Sequence, residues 1–428
     1  MKEKLFTRNF TLLLVGQASS LLGNNTLKFA LSMFVLEETG SATVFATILA
    51  LAMAPTILLS PLGGILADRA NRKSIMVALD SLSGLAVLLA CLLLSLGDRM
   101  LVVGALLVAL SILGAFESPT VQACVPQMLS GERLLQGNAA VSQIQAAASL
   151  VTPFLGSVLY TALGIQPIFL GAVACFFLTA LLEGFLQLDY RRPCRQAGVG
   201  AALRKDLSES MDFLIRQEPG ICKLLLLAAL VSLFVSGAMV VGFPYLVRTV
   251  LGLSAALYGI AESVLGVAAI LGGACVGLLG ERLRLGRLAG VFSGFGLCLL
   301  PCGLAFLLPL GALGRYGVLL VFFCICQAGC SVFSTCAISA IQARTPERLM
   351  GKVMSCVFTL SLCAQPLGQL LYGVLFDTFS QAPWCVLLPT GLAVWAAGML
   401  SRRFFRRLER QWEQPGPAQN PPPKGRGF

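Results

Sequence analysis

The sequence predicts an all-α membrane protein with twelve transmembrane helices in two pseudo-symmetric six-helix bundles. Its composition, the distribution of its basic residues and an internal repeat together predict this fold class. Of the 428 residues, 57% are hydrophobic and 12% are charged, whereas soluble domains carry about 25% charged residues. A helix needs about 20 apolar residues to cross the hydrocarbon core of a bilayer. Apolar segments of that length follow one another along almost the whole chain.

The apolar segments divide the chain into twelve predicted spans. The first six form a predicted N-terminal bundle at residues 1–188, and the last six form a C-terminal bundle at 221–401. Residues 189–220 are predicted to be a cytoplasmic linker that contains an amphipathic helix. The basic residues 402–428 are predicted to be a disordered cytoplasmic tail. The predicted spans are 9–36, 41–66, 73–96, 100–128, 137–163, 166–188, 221–249, 254–280, 285–310, 315–343, 350–377 and 382–401.

The basic residues indicate the orientation of these spans. With both termini in the cytoplasm, the inner side holds 27 of the 31 Lys and Arg residues. The outer side holds Arg99, Arg248 and Arg315, and Lys28 lies inside span 1. Because one misplaced span would invert every segment after it, this asymmetry supports the number of spans and a multi-pass location in the cell membrane. The net charge of +11 reflects this asymmetry and an attraction to anionic lipids, so nucleic acid is not an expected partner.

The two halves of the chain repeat one another in sequence. Three matches occur in the same order, each with an offset of 213 or 215 residues. Such parallel repeats are typical of membrane proteins that carry a binding site near the midplane, between the halves. The matches are Gly64-x-x-x-Asp68-Arg69 with Gly277-x-x-x-Glu281-Arg282, the segments SGERL at 130–134 and TPERL at 345–349, and Pro153 with Gly156 against Pro366 with Gly368.

These segments carry a resemblance to a known family. The stretch GGILADRANRK at 63–73 is similar to the loop 2–3 signature of the major facilitator superfamily, a Gly followed by Asp-Arg and then Gly-Arg-Lys. Asn71 stands at the second Gly position, where Asn also tolerates a left-handed turn. The segments 16–43 and 243–260 resemble the twelve-span branch that contains macrolide-efflux and siderophore-export proteins. The resemblance runs from about residue 8 to 401 and implies the major facilitator fold.

The charged turn after span 2 is predicted to belong to a latch on the cytoplasmic face. Asp68 lies near the C-terminal end of span 2, where the helix dipole disfavours a carboxylate, so we expect it to reach the N-terminus of span 11. The repeat predicts an equivalent contact from Glu281 to the N-terminus of span 5. The alternative is that these charges only set the topology. The predicted latch residues are Gly64, Asp68, Arg69, Arg72, Lys73, Glu281 and Arg282.

Five ionisable residues inside the predicted spans are candidate functional positions, because charges at membrane depth are rare. Glu117, near the middle of span 4, is the first candidate for a protonation site, and a structural ion pair with Lys28 is the alternative. Glu262 in span 8 is a candidate for proton coupling, for substrate contact or for a salt bridge between the halves. Asp80 and Glu183, near the cytoplasmic ends of spans 3 and 6, are expected to face the interface or to pair with loop arginines.

In the fold that the resemblance implies, spans 1, 4, 7 and 10 line a central cavity. Gln17, Asn24 and Lys28 share one face of span 1, which is therefore predicted to line it; snorkelling of Lys28 to the outer interface is the alternative. Span 5, around Pro153 and Gly156, resembles an exporter signature, and with its repeat partner in span 11 it is predicted to bend between the halves. The candidate cavity residues are Gln17, Asn24, Lys28, Glu117, Gln122, Tyr245, Gln327 and Ser331, and Gln365 is a further hydrogen-bonding residue.

The resemblance implies a secondary active transporter that exports amphipathic small molecules, of the macrolide or multidrug type, in exchange for protons by alternating access. Two alternatives stay open: an exporter of an endogenous metabolite, siderophore or lysolipid, and a non-transporting membrane receptor or scaffold. The sequence has 15 Cys and no His, and it lacks a Walker-type nucleotide loop, a nucleophile–base pair and a metal-binding motif. We therefore expect no enzymatic activity, cofactor or metal. The expected partners are a small-molecule substrate, protons and membrane lipids, and the expected state is a monomer in a bacterial membrane.

Overall fold

Twelve long helices make up almost all of the structure. The computed structural model describes residues 6–129, 132–188, 212–279, 285–346 and 349–412. The helices are α1 (Arg8–Thr39), α2 (Ala42–Arg69), α3 (Arg72–Leu93), α4 (Arg99–Met128), α5 (Glu132–Leu163), α6 (Ile165–Gly184), α7 (Pro219–Val250), α8 (Ala255–Leu279), α9 (Leu288–Leu307), α10 (Ala312–Arg344), α11 (Met350–Thr378) and α12 (Trp384–Trp412).

Short polar residues begin the helices of the first half. The hydroxyl of Thr7, before α1, accepts a hydrogen bond from the backbone N–H of Phe10 at 3.3 Å. Ser41, Asn71 and Asp98 cap α2, α3 and α4 in the same way. Such caps satisfy backbone N–H groups that have no partner inside the helix, so the start of each span is specified locally.

Eleven helices in the described part of the chain are long and apolar enough to cross a membrane, by length and composition. α1 is 32 residues long but is not one of the eleven, because Gln17, Asn24 and Lys28 lower its hydropathy. A helix of that length is about 48 Å long, which exceeds the thickness of the hydrocarbon core. The predicted all-α membrane fold is confirmed, and the described residues contain no β-strand.

The helix boundaries reproduce the internal repeat. α2 begins at Ala42 and α8 at Ala255, and these starts are 213 residues apart; α4 at Arg99 and α10 at Ala312 have the same separation. The turns before α2 and α8 also correspond, since each contains a Gly with φ of 58° or 63°, a left-handed conformation that Gly adopts without steric cost. Each turn then continues into a Ser that accepts a backbone N–H bond three residues further on.

The chain forms two compact units. In the first, α1 packs against α5 and α6, α3 packs against α4 and α6, and α2 packs against α4. In the second, α9 packs against α10 and α12, which are the repeat equivalents of the α3–α4 and α3–α6 contacts. The predicted bundle boundaries at residues 188 and 221 stay a prediction. The first unit contains Met1–Ala197, Val240–Gly266 and Gln369–Thr378, and the second contains Gly198–Met239, Val267–Gly368 and Phe379–Phe428.

The last helix is longer than the sequence suggested. α12 continues to Trp412, which corrects the predicted disorder for residues 402–412. Phe405 and Leu408, one turn apart, are 0% and 1% exposed, and Phe405 packs edge to face against Phe333 of α10 at 6.4 Å. Burial of these apolar side chains accounts for the additional helical turns. The rest of the predicted tail, 413–428, and most of the predicted amphipathic helix lie outside the described residues.

Candidate functional site

Polar side chains converge inside the first compact unit, between α1, α3, α4 and α6. The hydroxyl of Ser20 in α1 lies 3.1 Å from Oδ1 of Asp80 in α3 and 3.4 Å from Oε1 of Glu117 in α4. The carboxyl groups of Asp80 and Glu183, from α3 and α6, are hydrogen-bonded to each other. We name Asp80, Glu117 and Glu183 the buried carboxyl cluster. The sequence singled out Glu117 as a protonation site, and the structure places two further carboxyl groups beside it.

Burial differs within the buried carboxyl cluster. Asp80 and Glu183 are 0% exposed and Ser20 is 4% exposed, whereas Glu117 is partly buried. Oδ2 of Asp80 and both carboxyl oxygens of Glu183 have no hydroxyl, amide or amine donor among the described residues. Because an ionised carboxylate only accepts hydrogen bonds, the contact between Asp80 and Glu183 requires a proton. Within the described ranges, no group of three His, Cys, Asp or Glu side chains could hold a metal ion.

The polar face of α1 points towards this cluster. Gln17 is 6% exposed and faces Glu117, but its Nε2 has no hydrogen-bond acceptor in the described part of the chain. Oδ1 of Asn24 is likewise buried without a donor there. Lys28 interacts electrostatically with Glu117, but none of the described ion pairs joins the two side chains. The face therefore has unused hydrogen-bonding groups, as expected of a surface that binds polar atoms.

Close approach of α1 and α6 encloses the cluster on one side. A Cβ atom at Gly23 would lie 2.7 Å from Cβ of Cys175. A Cβ atom at Gly16 would lie 3.4 Å from Cγ2 of Thr179 and 3.8 Å from Cγ of Glu183. The Thr179 hydroxyl donates to the carbonyl of Gly16 at 3.0 Å. Since the two glycines are seven residues apart, they lie on one face of α1, and this face allows α6 to approach.

Arg72 stabilises the turn between α2 and α3. Its Nε donates to the carbonyl of Ala67 at 2.8 Å, and its Nη1 donates to the carbonyl of Ala123 in α4 at 2.8 Å. The guanidinium group therefore connects the end of α2, the start of α3 and the cytoplasmic part of α4. Lys73, the next residue, is partly buried.

The other predicted latch residues are only partly visible. A Cβ atom at Gly64 would meet nothing within 4 Å, whereas one at Gly63 would lie 2.3 Å from the carbonyl oxygen of Ala115 in α4. Gly63 is thus the position at which α2 needs a glycine. The side chains of Asp68 and Arg69, and the residues Glu281 and Arg282, lie outside the described part of the chain. The latch at the cytoplasmic face stays a prediction.

Glu262 lies in the same compact unit, on α8. It is partly buried and accepts a hydrogen bond from the hydroxyl of Tyr258 at 2.7 Å. The Tyr258 ring stacks on Phe29 of α1, with centroids 5.5 Å apart and an interplanar angle of 15°. Phe29 follows Lys28 in the chain, so α1 presents charged and aromatic side chains to the buried carboxyl cluster and to α8.

The helix ends at the predicted outer face are linked by ionic contacts. Asp377, near the end of α11, accepts hydrogen bonds from the Ser41 hydroxyl at 2.6 Å and from the backbone N–H groups of Ala42 and Thr43 at 2.8 and 2.9 Å. The carboxylate of Asp377 therefore caps the N-terminus of α2. The sequence analysis did not single out Asp377, although a carboxylate at a helix C-terminus, as at Asp68, was the signal that could have found it.

The second compact unit contains a cavity of about 240 Å³ between α7, α10 and α11. Apolar side chains dominate its wall, and three hydroxyl groups contribute polar atoms. Gln327 and Ser331, the predicted cavity residues of α10, are partly buried but do not line this cavity; Cys330 and Ser334 do. Sequence reasoning identified the helix and missed the face by one position. The lining residues are Leu224, Leu225, Ala228, Val231, Ser232, Cys330, Phe333, Ser334, Ala337, Ile338, Ile341, Val357, Phe358 and Ser361.

α7 departs from regular helix beside this cavity. It contains three π-helical stretches, Ser232–Ser236, Ala238–Gly242 and Leu246–Val250, and the first of them begins at a cavity-lining serine. Such widened turns are found frequently at functional sites. Tyr245, a predicted cavity residue, is 3% exposed and packs against Phe376 of α11 at 5.9 Å.

The predicted bending helices α5 and α11 contact other helices through small residues. A Cβ atom at Gly156 would lie 3.0 Å from the Phe29 ring, and one at Gly368 would lie 2.3 Å from the carbonyl oxygen of Leu233 in α7. Pro153 and Pro366 lie inside their helices.

Two glutamines complete the predicted hydrogen-bonding set. Gln122 is exposed on α4, where its Nε2 lies 3.5 Å from the hydroxyl of Ser118, and Gln365 is partly buried on α11. Gln369, one turn after Gln365, is 2% exposed and its Oε1 has no donor among the described residues. The sequence analysis missed Gln369.

Long apolar helices, an internal repeat and buried polar groups at membrane depth define a multi-pass membrane transporter. The chain belongs to the Major Facilitator Superfamily, whose profile matches residues 13–368. The predicted resemblance is thereby confirmed. Members of this superfamily are secondary transporters of small molecules and not enzymes, which also confirms the expectation of no enzymatic activity.

Known proteins similar to this chain are transporters. Macrolide efflux protein A of Streptococcus pyogenes is 25% identical over 385 residues, which cover 88% of this chain and 91% of that protein. A mutant of the nucleoside transporter NupG has a similar structure, with a TM-score of 0.70, 10% identity and coverage of 94% of this chain and 100% of that one. A POT family transporter in complex with a thioalcohol-conjugated peptide gives a TM-score of 0.69, 12% identity and coverages of 94% and 96%. At these identities the structural likeness shows the fold alone.

Proposed function

We propose that the protein exports amphipathic small molecules in exchange for protons by alternating access. The observation that carries the proposal is the position of Glu117. It lies inside the membrane-spanning helix α4, beside Ser20 and Gln17 and within electrostatic range of Lys28. A carboxyl group at membrane depth with polar neighbours is a site where a proton can bind and be released.

The absence of a direct Lys28–Glu117 ion pair among the described residues supports a titrating role for Glu117. A permanent ion pair would fix the carboxylate in its charged form, because separating two charges inside protein is costly. Lys28 instead acts on Glu117 over a longer distance. The ammonium group can favour the ionised carboxylate after the proton leaves while both side chains remain available to other partners.

The cavity in the second compact unit supports an amphipathic cargo. Most of its lining is aliphatic or aromatic, with hydroxyl groups at Ser232, Ser334 and Ser361. Small-molecule sites combine an apolar wall with a few polar groups that orient the ligand. A cavity of about 240 Å³ fits one apolar portion of a drug-sized molecule. The similarity to macrolide efflux protein A supports export and a macrolide-type cargo.

The test is substrate uptake into inside-out membrane vesicles, in which export appears as accumulation in the lumen. A radiolabelled macrolide and a fluorescent lipophilic cation are each supplied with and without an imposed pH gradient, acid inside. We expect gradient-dependent uptake by the native chain and a loss of about tenfold or more in Glu117→Gln, because the amide cannot carry the proton.

Glu38→Gln is the matched control, since it makes the same chemical change at an exposed residue of α1 that pairs with Arg99. We expect this variant to transport as the native chain does. Gradient-driven transport by folded Glu117→Gln at the native rate would contradict the assignment of Glu117. Failure of the native chain to move either probe would contradict the cargo and would favour a metabolite, siderophore or lysolipid.

A further inference from the structure

We propose that Asp80 and Glu183 form a second proton site, connected to Glu117 through the hydroxyl of Ser20. Protons would thus leave Glu117 through the interior of the first compact unit, towards the cytoplasmic ends of α3 and α6, and not through the substrate cavity. This proposal rests on the proposed function, because it describes how the proton of that exchange moves. It assigns roles to two residues that the sequence had placed in ordinary structural positions.

The first support is the enclosure of the pair. Asp80 and Glu183 are 0% exposed, and they are hydrogen-bonded to each other. Three of their four carboxyl oxygens lack any other donor among the described residues. A structural role in stability would be served better by apolar side chains of the same size, because burying a carboxyl pair costs free energy. A shared proton accounts for the contact with the atoms present.

The second support is the unsatisfied amide of Gln17, which is independent of the acidic residues. Gln17 is 6% exposed and faces Glu117, yet its Nε2 has no acceptor within hydrogen-bonding distance in the described ranges. A buried donor without an acceptor is rare in proteins. This donor is positioned to stabilise the Glu117 carboxylate once its proton has gone to Ser20, which gives the amide a partner in one protonation state.

The transfer balances within the residues present. The protonated carboxyl of Glu117 donates its proton to the Ser20 oxygen, and the Ser20 hydroxyl proton passes to Oδ1 of Asp80. Glu117 then becomes a carboxylate, Asp80 becomes a neutral carboxyl group and Ser20 is again a hydroxyl. The distances of 3.4 and 3.1 Å place the hydroxyl between both acceptors. Asp80 can then exchange the proton with Glu183 across their direct hydrogen bond.

Other charged or titratable groups face the pair from each neighbouring helix. On α4, Glu117 acts electrostatically on both members of the pair, and Cys124 interacts with Glu183 and with Arg72 of α3. On α1, Lys28 acts on Glu117.

The pair is also located appropriately for release to the cytoplasm. Asp80 lies about two turns into α3, and Glu183 is the penultimate residue of α6. Both lie nearer the predicted cytoplasmic side than Glu117, which is 11 residues from the end of α4.

The first experiment measures the protonated carboxyl groups directly and does not depend on transport. Infrared spectra of the purified full-length protein in lipid are recorded in water and in deuterium oxide. We expect the native chain to show the carbonyl band of a protonated carboxyl group, and a component of this band to be lost in Asp80→Asn/Glu183→Gln. If the double variant does not fold, Glu183→Gln alone should shift that component. An unchanged band in either folded variant would overturn the proposal.

Glu38→Gln is again the control for the infrared measurement, since it removes an exposed carboxyl group from α1. We expect its band in the protonated-carboxyl region to match that of the native chain. Loss of the same component in Glu38→Gln would overturn the assignment of that component to Asp80 and Glu183.

The second experiment tests the Ser20 relay by transport. In sodium-free buffer we expect Ser20→Ala to slow uptake driven by the pH gradient about tenfold, and to exchange labelled for unlabelled macrolide across the membrane at close to the native rate. Ser20→Thr retains the hydroxyl and should restore gradient-driven uptake. Native rates of gradient-driven uptake in Ser20→Ala, or equal loss of exchange and driven uptake in both variants, would overturn the relay.

The two experiments distinguish failure of this inference from failure of the proposed function. If the native chain moves no probe but the infrared component depends on Asp80 and Glu183, the export proposal fails and the proton site stands. If Glu117→Gln abolishes driven uptake while Ser20→Ala does not, the export proposal stands and the relay fails.

Discussion

Two neighbouring carboxylates at the end of α1 make ion pairs of different strength. Glu38 pairs with Arg99 at 2.9 Å, and both side chains are exposed, at 40% and 56%. Glu37 pairs with Arg248 at 2.7 Å, and the Arg248 side chain is only 13% exposed. Arg248 also donates to the carbonyl of Leu253 at 2.6 Å. The enclosed guanidinium therefore fixes the turn that follows α7, whereas the exposed pair is open to water.

We predict that Arg248→Gln lowers the free energy of unfolding by about 2 kcal/mol, because hydrogen bonds to charged groups are lost from a largely buried site. Arg99→Gln is the matched variant and should cost less than about 1 kcal/mol, as exposed ion pairs do. The measurement is the change in thermal unfolding midpoint of each variant in detergent. Equal changes for the two variants would contradict the difference in environment.

The predictability of the candidate site also differs from residue to residue. Glu117 was identifiable because an acidic residue in the middle of an apolar span has few bland explanations. Asp80 and Glu183 lie closer to helix ends, where the sequence allows contact with the interface or with loop arginines. Only the packing of α6 against α1 and α3 shows that they meet. Their contact links residues about 100 positions apart, and no local pattern specifies it.

At the scale of elements, close helix packing depends on a few glycines. Gly63 and Gly64 are adjacent in α2 and belong to the same predicted signature. A Cβ atom at Gly63 would lie 2.3 Å from the carbonyl oxygen and 3.2 Å from the carbonyl carbon of Ala115, whereas one at Gly64 would meet nothing within 4 Å. Because backbone atoms of a packed helix cannot move aside cheaply, only Gly63 is required for the contact between α2 and α4.

We predict that Gly63→Ala destabilises the protein by about 1–3 kcal/mol, the usual cost of overpacking. Gly64→Ala should be neutral or stabilising by up to about 1 kcal/mol, because alanine favours the helical conformation. Thermal unfolding in detergent and the yield of monodisperse protein provide the measurements. A loss of stability in Gly64→Ala as large as that in Gly63→Ala would show that the signature position, and not the packing distance, sets the requirement.

Element boundaries were predictable where the signal is local. The sequence placed span 2 at 41–66, and α2 runs from Ala42 to Arg69, with its start set by the Ser41 cap. The extension of α12 was not predictable, since Phe405 and Leu408 sit among arginines and become buried only by tertiary contacts. The π-helical stretches of α7 likewise have no signature in an apolar segment.

At the scale of the whole molecule, contacts between the two sequence halves also occur inside one compact unit. Asp377 of α11 accepts three hydrogen bonds from the first residues of α2 and the preceding Ser41. The arrangement is the counterpart of the predicted cytoplasmic latch, with a carboxylate at the C-terminal end of one helix facing the N-terminus of another. The dipole of α2 favours the negative charge that the dipole of α11 opposes. By the predicted topology this contact is on the outer face.

We predict that Asp377→Asn weakens this contact by about 1 kcal/mol or more, because one oxygen is replaced by an NH₂ group that cannot accept the backbone N–H bonds. Hydrogen–deuterium exchange should become several-fold faster at the start of α2. Asp98→Asn is the matched control. Asp98 caps α4, the helix that follows it in the chain, by accepting from the N–H groups of Met100 and Leu101, so its effect should stay within α4. Unchanged exchange at the start of α2 in Asp377→Asn would contradict the contact. Alternating access makes the same contact informative about function, since α2 and α11 must separate there whenever the outer face opens. Faster exchange in the variant, together with retained folding, would therefore identify Asp377 as a position that biases the transporter towards its outer-closed state.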